Sequence, residues 1–257
     1  MCYVDDDGKI VPEPGDALKM VYYFKAGDYG RYDRLPPVPD AAKVTWPQMI
    51  VNHITDSLID EDDYSIDMLK RGQIYASMKY HAQIYLGLDG VGVQINPVCR
   101  AAPAVAGAVL FRDEDHEVNN LAFHIEIISV TTDLKGRKYK IDPKTGKPVV
   151  MWQTNPNRSD LSQRDGRLWL RVPDVQREAL GDILYAVHHK CFLNPVNLFH
   201  GHYALSRGSH IDPGPEVIDA LQQISVARFD LPTDFVPPAG DLKPLPYPIA
   251  DNPLRNF

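Results

Sequence analysis

The chain has 257 residues, 44% hydrophobic and 24% charged, which is typical of a globular protein with one large domain or two small ones. Its net charge of −7 argues against electrostatic binding to nucleic acid or to an anionic membrane. Three cysteines, Cys2, Cys99 and Cys191, lie far apart without a C-x-x-C pair, which indicates reduced thiols rather than a disulfide scaffold.

The N-terminal segment is acidic at Asp5, Asp6 and Asp7 and lacks the apolar core of a signal peptide. No apolar run approaches the ~18 residues that a membrane span requires. We therefore expect synthesis in the cytoplasm and no membrane span, so that any action outside the cell depends on a separate route of release.

Five prolines punctuate residues 1–45, which predicts an irregular N-terminal arm that packs over the following domain, with one strand at Lys19–Phe24. The domain is predicted to begin at residue 46. Its first strand is the apolar run Met49-Ile50-Val51, which ends in Asn52-His53-Ile54-Thr55. A histidine at the exit of a buried strand is well placed to face a cleft.

Two β-rich runs follow, Tyr80–Leu88 and Val91–Ile95, and the Asp89-Gly90 pair between them predicts a hairpin. Asn119–Val130 is predicted to be a further strand, with His124 and Glu126 on one face and apolar residues on the other. Residues 132–168 are basic and rich in turn signals, which predicts an inserted hairpin or long loop at the rim of a cleft. That charge suits an anionic ligand, although a solvated surface hairpin is the simpler interpretation.

Apolar residues recur at helical spacing over Val172–Cys191, and Asn194-Pro195 ends this helix before a predicted strand at Val196–Phe199. A second helix is predicted at Pro215–Ser225, with proline in its first turn. Seven prolines then predict an extended tail over 231–257. This order predicts an α/β fold for residues 46–230, with a central mixed β-sheet flanked by helices.

Candidate metal ligands lie at strand ends and on a rigid turn. His53 and His202 each follow an apolar strand, and Asp212 begins Asp-Pro-Gly-Pro, where Pro213 restricts the backbone. Catalytic zinc commonly takes three such ligands and keeps one position for water, whose proton a carboxylate such as Glu126 can accept. Taken singly, each of these residues is more often structural.

Their joint order resembles the zinc-dependent N-acetylmuramoyl-L-alanine amidase and peptidoglycan recognition protein superfamily. The matching segments are Ile50–Thr55, Tyr80–Pro97, Asn119–Glu126, Val175–Leu180, and Gly201-His202 followed ten residues later by Asp212–Pro215. The resemblance covers about residues 46–226 and leaves out the arm, the insertion at 132–168 and the tail. It implies that His53, His202 and Asp212 bind Zn²⁺, and that Glu126 orients or deprotonates the zinc-bound water.

The sequence departs from the family pattern at several positions. His210 lies where hydrolytic members usually carry an oxyanion-stabilising lysine, and it is the second candidate catalytic residue. Gln83 aligns with a family histidine before the hairpin strand and is a candidate substrate-binding residue, together with Arg207. The family's Trp-His-Ala-Gly is replaced by residues 104–107, which lack a histidine. His124 replaces a glycine on the face of Glu126. It is either an extra polar group in the cleft or a packed strand residue, and we favour the packed residue.

The resemblance implies an amidase that cuts the bond between N-acetylmuramic acid and L-alanine in peptidoglycan or muropeptides. A phage lysin released by a separate pore is favoured slightly over a muropeptide-recycling enzyme, because the arm, insertion and tail exceed what recycling requires. The alternative is a catalytically weak or inactive peptidoglycan-binding module, and a zinc hydrolase acting on another amide is a third class. Peptidoglycan is the expected partner, nucleic acid is not, and the oligomeric state stays open.

Overall fold

The computed structural model describes residues 2–22, 46–55, 81–100, 102, 104, 122–202 and 212–235. Its strands are β1 (Tyr3–Val4), β2 (Ile10–Val11), β3 (Lys19–Tyr22), β4 (Met49–Ile54), β5 (Ile84–Leu86), β6 (Val91–Gln94), β7 (Ala122–Ile127), β8 (Thr131–Thr132), β9 (Arg137–Ile141), β10 (Pro148–Gln153), β11 (Leu161–Arg164), β12 (Arg167–Leu170) and β13 (His200–Gly201). Its helices are α1 (Asp174–Cys191), a 3₁₀ helix (Pro195–Leu198) and α2 (Pro215–Phe229). No helix within the described ranges is long and apolar enough to cross a membrane.

Within the described residues, six strands form the central sheet, in the order β13-β4-β7-β5-β6-β3. Every neighbouring pair is parallel except the antiparallel β5–β6 hairpin. That hairpin turns at Asp89-Gly90, as predicted, where Gly90 has a φ of +79°. The predicted α/β fold with a mixed sheet and flanking helices is therefore confirmed.

The two faces of the sheet pack differently. Phe123, Ile125 and Ile127 of β7 point towards the helices and join one buried cluster with Leu180 of α1 and Leu221 of α2. His124 and Glu126 alternate with them and therefore lie on the opposite face, as the sequence predicts. The helices thus cover one face, and on the other the polar residues of β7 lie beside a second buried apolar cluster, which includes Tyr85 of β5.

Two side-chain amides anchor the elements around the sheet. Gln176, near the start of α1, donates from Nε2 to the carbonyls of Leu86 (3.2 Å) and Ile128 (3.0 Å), which fixes the helix over the ends of β5 and β7. At the other edge, Gln94 accepts from the main-chain N of Ile10 and donates to the carbonyl of Gly8. Buried amides of this kind must be hydrogen-bonded, so they also fix the register of their partners.

The described part of the N-terminal arm joins the sheet directly. β3 pairs in parallel with β6 over its whole length, and Val4, Ile10 and Leu18 are buried in the core on the helix side. The strand predicted at Lys19–Phe24 is present as Lys19–Tyr22; its last two residues lie outside the described residues. These N-terminal residues therefore contribute to the core of the domain.

The predictions for α1 and α2 are confirmed, with shifted ends. α1 begins at Asp174 because Pro173 is its extended N-cap, and α2 runs four residues beyond Ser225, to Phe229. The predicted strand at Val196–Phe199 is wrong: this segment is mostly the 3₁₀ helix. Asn194 caps that helix, since its Oδ1 accepts from the main-chain N of Val196, and Pro195 occupies the first turn.

The region predicted as an insertion contains strands rather than a long loop. β9 and β10 form a hairpin with a bulge, in which Ile141, Val150 and Met151 are exposed. β8, β11 and β12 form a separate three-stranded sheet. The predicted hairpin is confirmed, and its position at the rim of a cleft stays a prediction.

Candidate metal centre

Three neighbouring parallel strands bring the candidate residues together. His53 pairs with Glu126 across β4 and β7, so both side chains leave the same face of the sheet. On the other side of β4, Gly201 of β13 pairs with Asn52, which places His202 at the same edge as His53. Parallel strands end together, and this is why residues 53, 126 and 202 converge despite their separation in sequence.

His53, His202 and Asp212 form the centre itself. One ligand atom from each lies within 4.8 Å of the other two. Nδ1 of His202 is 3.0 Å from Oδ2 of Asp212, and Nδ1 of His53 is 3.5 Å from the same oxygen. Ligands about 2.0–2.2 Å from a tetrahedral zinc ion lie roughly 3.3–3.6 Å apart. The three residues therefore fit zinc in donor type and approximately in spacing.

The neighbouring Asn52 points away from this centre. Its Nδ2 donates to the carbonyls of Leu198 (3.1 Å) and His200 (3.2 Å). These bonds fix the 3₁₀ helix and β13 against β4. His53, and not Asn52, is therefore the residue of this pair that faces His202 and Asp212.

Asp212 is held as a carboxylate on a tightly packed turn. Burial alone would raise the pKa of Asp212, but hydrogen bonds to His202 and His53 outweigh it and hold the pKa well below its ordinary value. The turn rests on Trp169, since a Cβ at Gly214, whose φ is +77°, would collide with the indole ring. This packing fixes the carboxylate relative to both histidines.

Glu126 is the acidic group next to the three candidate ligands. Its Oε2 is buried and has no hydrogen-bond partner within the described part of the chain. Burial, and secondarily the charge of Asp212, raise the pKa of Glu126 to about 8. A carboxyl group that titrates near neutral pH in this position suits proton transfer.

His124 is not one of the three candidate ligands but contacts one of them, His53, and the sequence does not predict this contact. Its Nδ1 lies 3.0 Å from Nε2 of His53, and both rings are buried. Burial, together with the neighbouring His53 and His202, lowers the pKa of His124 well below its ordinary value. The available signal was the alternation of β7, which puts His124 on the face of Glu126, two residues away.

Gln83 is fully buried and uses its carboxamide on the backbone. It accepts from the main-chain N of His124 (2.7 Å) and donates to the carbonyls of Ala122 (3.2 Å) and Arg100 (3.0 Å). These bonds favour a structural role, and its predicted contact with substrate stays a prediction. Arg207 and His210 lie outside the described residues, so their predicted roles also stay predictions.

No protein-family model and no curated protein matches the chain. Solved structures do match. The N-acetylmuramyl-L-alanine amidase AmiD from E. coli, in complex with the substrate anhydro-N-acetylmuramic acid-L-Ala-D-γ-Glu-L-Lys, is 15% identical over 71% of this chain, with a TM-score of 0.44. AmpD is 16% identical over 85% of this chain, with a TM-score of 0.47. AmpDH3 from Pseudomonas aeruginosa, in complex with anhydromuramic pentapeptide, is 15% identical over 70%, with a TM-score of 0.44.

All three of these structures match the chain with TM-scores below 0.5. The chain spans 60% of the length of AmiD, 97% of AmpD and 60% of AmpDH3. At 15–16% identity, the likeness does not extend to activity or substrate. Those depend on the residues of the metal centre.

Proposed function

We propose that the chain is a zinc-dependent amidase that hydrolyses the bond between N-acetylmuramic acid and L-alanine in peptidoglycan or muropeptides. The convergence of His53, His202 and Asp212 carries this proposal. Two imidazoles and one carboxylate are a donor set that catalytic zinc uses, and three protein ligands leave a fourth position for water or substrate.

The electrostatics of the ligands suit a divalent cation. Asp212 is ionised and already accepts from two imidazoles, so it supplies negative charge where the cation would lie. When bound, zinc would polarise the amide carbonyl and lower the pKa of its water to about 7. The same three residues would hold the ion, each through one atom.

Glu126 would act as the proton-transfer group. Its buried Oε2 has no competing partner among the described residues, so it can accept the proton of the attacking water and return it to the leaving nitrogen. Burial raises the pKa of Glu126 to about 8, which suits return of the proton to the leaving nitrogen. The positive charge of a bound zinc ion would lower this pKa and favour the ionised carboxylate that accepts the proton of the water. His210 would donate a hydrogen bond to the oxyanion, in the place of the family's lysine.

We further propose that the chain is synthesised in the cytoplasm and acts on the cell wall after release, as a phage lysin does. The β9–β10 hairpin and the proline-rich tail lie outside the resemblance to the amidase superfamily, and they support a role beyond muropeptide recycling. The exposed lysines of this hairpin, Lys140, Lys144 and Lys147, would suit an anionic wall polymer.

A binding module of the same fold is the second candidate. Two departures of the sequence favour it: histidine in place of the catalytic lysine at 210, and the absence of a histidine in residues 104–107. In a binding module, the metal centre would serve structure or recognition without turnover.

Incubation with purified muropeptides, followed by mass spectrometry, separates the two candidates. The amidase proposal predicts free stem peptide with the wild-type chain and none with His202→Ala. His200→Ala is the matched control, because His200 is a buried histidine on β13, two residues before His202, and is not one of the candidate ligands. Stoichiometric zinc and muropeptide binding without cleavage would instead support the binding module.

A further inference from the structure

His124 lies directly behind one of the three candidate ligands. Its Nδ1 is 3.0 Å from Nε2 of His53, while Nδ1 of His53 is 3.5 Å from Asp212. The two nitrogens of the His53 ring therefore face different partners: Nδ1 faces the candidate metal position and Nε2 faces His124. The ring orientation of His53 depends on both.

Metal binding would fix the direction of the bond between the two histidines. A neutral imidazole that binds a metal through Nδ1 carries its proton on Nε2. Nε2–H of His53 then donates to Nδ1 of His124, which must accept. The proton of the neutral His124 ring consequently lies on its own Nε2.

The backbone of His124 is fixed by Gln83, whose Oε1 accepts from the main-chain N of His124 at 2.7 Å. Gln83 is itself held by the carbonyls of Ala122 and Arg100. These bonds fix the point on β7 from which the His124 ring extends towards β4. The acceptor atom is therefore preorganised rather than carried on a free side chain.

Packing alone does not account for an imidazole at this position. Nε2 of His124 is buried without a hydrogen-bond partner among the described residues, and such an atom costs stability. An apolar side chain would avoid that cost but would offer no acceptor to His53. The superfamily that the sequence resembles has glycine here, which offers none either.

We propose that His124 is a positioning residue for the metal centre: by accepting a hydrogen bond from His53, it holds that ring in the tautomer and orientation in which Nδ1 binds the metal. Hydrogen bonds of this kind to a ligating histidine tune metal affinity in other proteins. The inference rests on the proposed zinc site, but it does not depend on which amide bond is cut.

Two substitutions separate an acceptor role from a packing role. The Oδ1 of asparagine lies where Nδ1 of histidine lies along the side chain, so His124→Asn keeps the acceptor, whereas His124→Leu removes it. Zinc affinity of the full chain, measured by competition with a chromogenic chelator, is expected to fall about 10–100-fold in His124→Leu. It is expected to stay close to wild type in His124→Asn and in the control His200→Leu, and circular dichroism checks the folding of each.

The bond itself is measured by ¹⁵N NMR of the zinc-loaded wild-type chain. We expect a scalar coupling between Nε2 of His53 and Nδ1 of His124, with the proton on His53. Equal zinc affinity in wild type and folded His124→Leu, a loss in His124→Asn as large as in His124→Leu, or a proton on Nδ1 of His124 overturns the proposal.

The outcome also distinguishes this proposal from the amidase reaction. Zinc binding that depends on the acceptor at 124, without muropeptide cleavage, supports the positioning role and contradicts the proposed activity. Muropeptide cleavage and zinc affinity that are both unchanged in folded His124→Leu support the amidase activity and contradict the positioning role. A wild-type chain that binds no zinc overturns both.

Discussion

Oδ2 of Asp212 lies 3.0 Å from Nδ1 of His202, and the same oxygen is 3.5 Å from Nδ1 of His53. One carboxylate oxygen thus contacts a histidine of β4 and the histidine that follows β13, and it lies on a turn ten residues after His202. Because these contacts hold Asp212 ionised, the three residues are poised for a cation.

Loss of one ligand is expected to abolish stoichiometric zinc. His202→Ala removes an imidazole and leaves two protein ligands, so its zinc affinity should fall by more than the ~10–100-fold typical of an outer-shell change. Metal analysis after dialysis measures this, with His200→Ala as the control. Full zinc occupancy in folded His202→Ala would show that residue 202 is not a ligand.

Glu126→Gln is expected to separate zinc binding from turnover. The amide keeps the shape of the side chain but cannot accept a proton, so the rate of muropeptide cleavage should fall by roughly 10²–10⁴. Zinc content should stay at the wild-type level, because Glu126 is not among the three candidate ligands. Cleavage at the wild-type rate in Glu126→Gln would assign the proton transfer to another group.

The zinc-free protein is expected to lose stability as pH rises from about 6.5 to 8. The pKa of Glu126 is raised from 4.5 to about 8, so the folded state keeps a proton that the unfolded chain has released. This contribution is complete below pH 4.5 and is lost as pH rises through 8. His200 acts in the opposite direction, because burial lowers its pKa from 6.5 to about 4, but its contribution changes only below pH 6.5.

Urea unfolding of the zinc-free chain between pH 6.5 and 8 measures this effect. The free energy of unfolding should decrease with pH in the wild type and should decrease less in Glu126→Gln, which cannot titrate. Identical slopes in the two proteins would mean that Glu126 is already ionised at pH 6.5.

Gly214→Ala tests whether the turn that carries Asp212 needs its packing on Trp169. Positive φ alone costs an alanine ~1–3 kcal/mol, and at Gly214 the new Cβ would also collide with the indole ring. We expect a larger loss of stability than in Gly166→Ala, where φ is +72° and nothing lies within 4 Å of the added Cβ. Zinc affinity should fall only in Gly214→Ala, and equal effects of the two substitutions would contradict this account.

Local patterns were sufficient to predict much of the fold. The Asp89-Gly90 hairpin, the alternation of β7 and the helix ending at Cys191 each depend on neighbours in sequence, and all three are present. The strand predicted at Val196–Phe199 is wrong because burial of Leu198 and Phe199 does not require a strand, whereas the cap from Asn194 favours a 3₁₀ helix.

The candidate site is predicted only in part, because some of its contacts depend on how distant strands pair. His53, His202 and Asp212 follow strand ends or lie on a proline-rich turn, and a family resemblance connects them. The contact between His53 and His124 depends on the register of two strands and on ring orientation across 71 residues, which no local pattern encodes.

The most direct test of the account is cleavage of a defined muropeptide by the same preparation in its zinc-loaded and zinc-stripped states. Mass spectrometry should detect free stem peptide with the zinc-loaded chain, none after the metal is removed, and recovery when zinc is returned. Cleavage that persists without metal, or a zinc-loaded chain that binds the muropeptide and never releases stem peptide, would contradict the proposal of a zinc amidase.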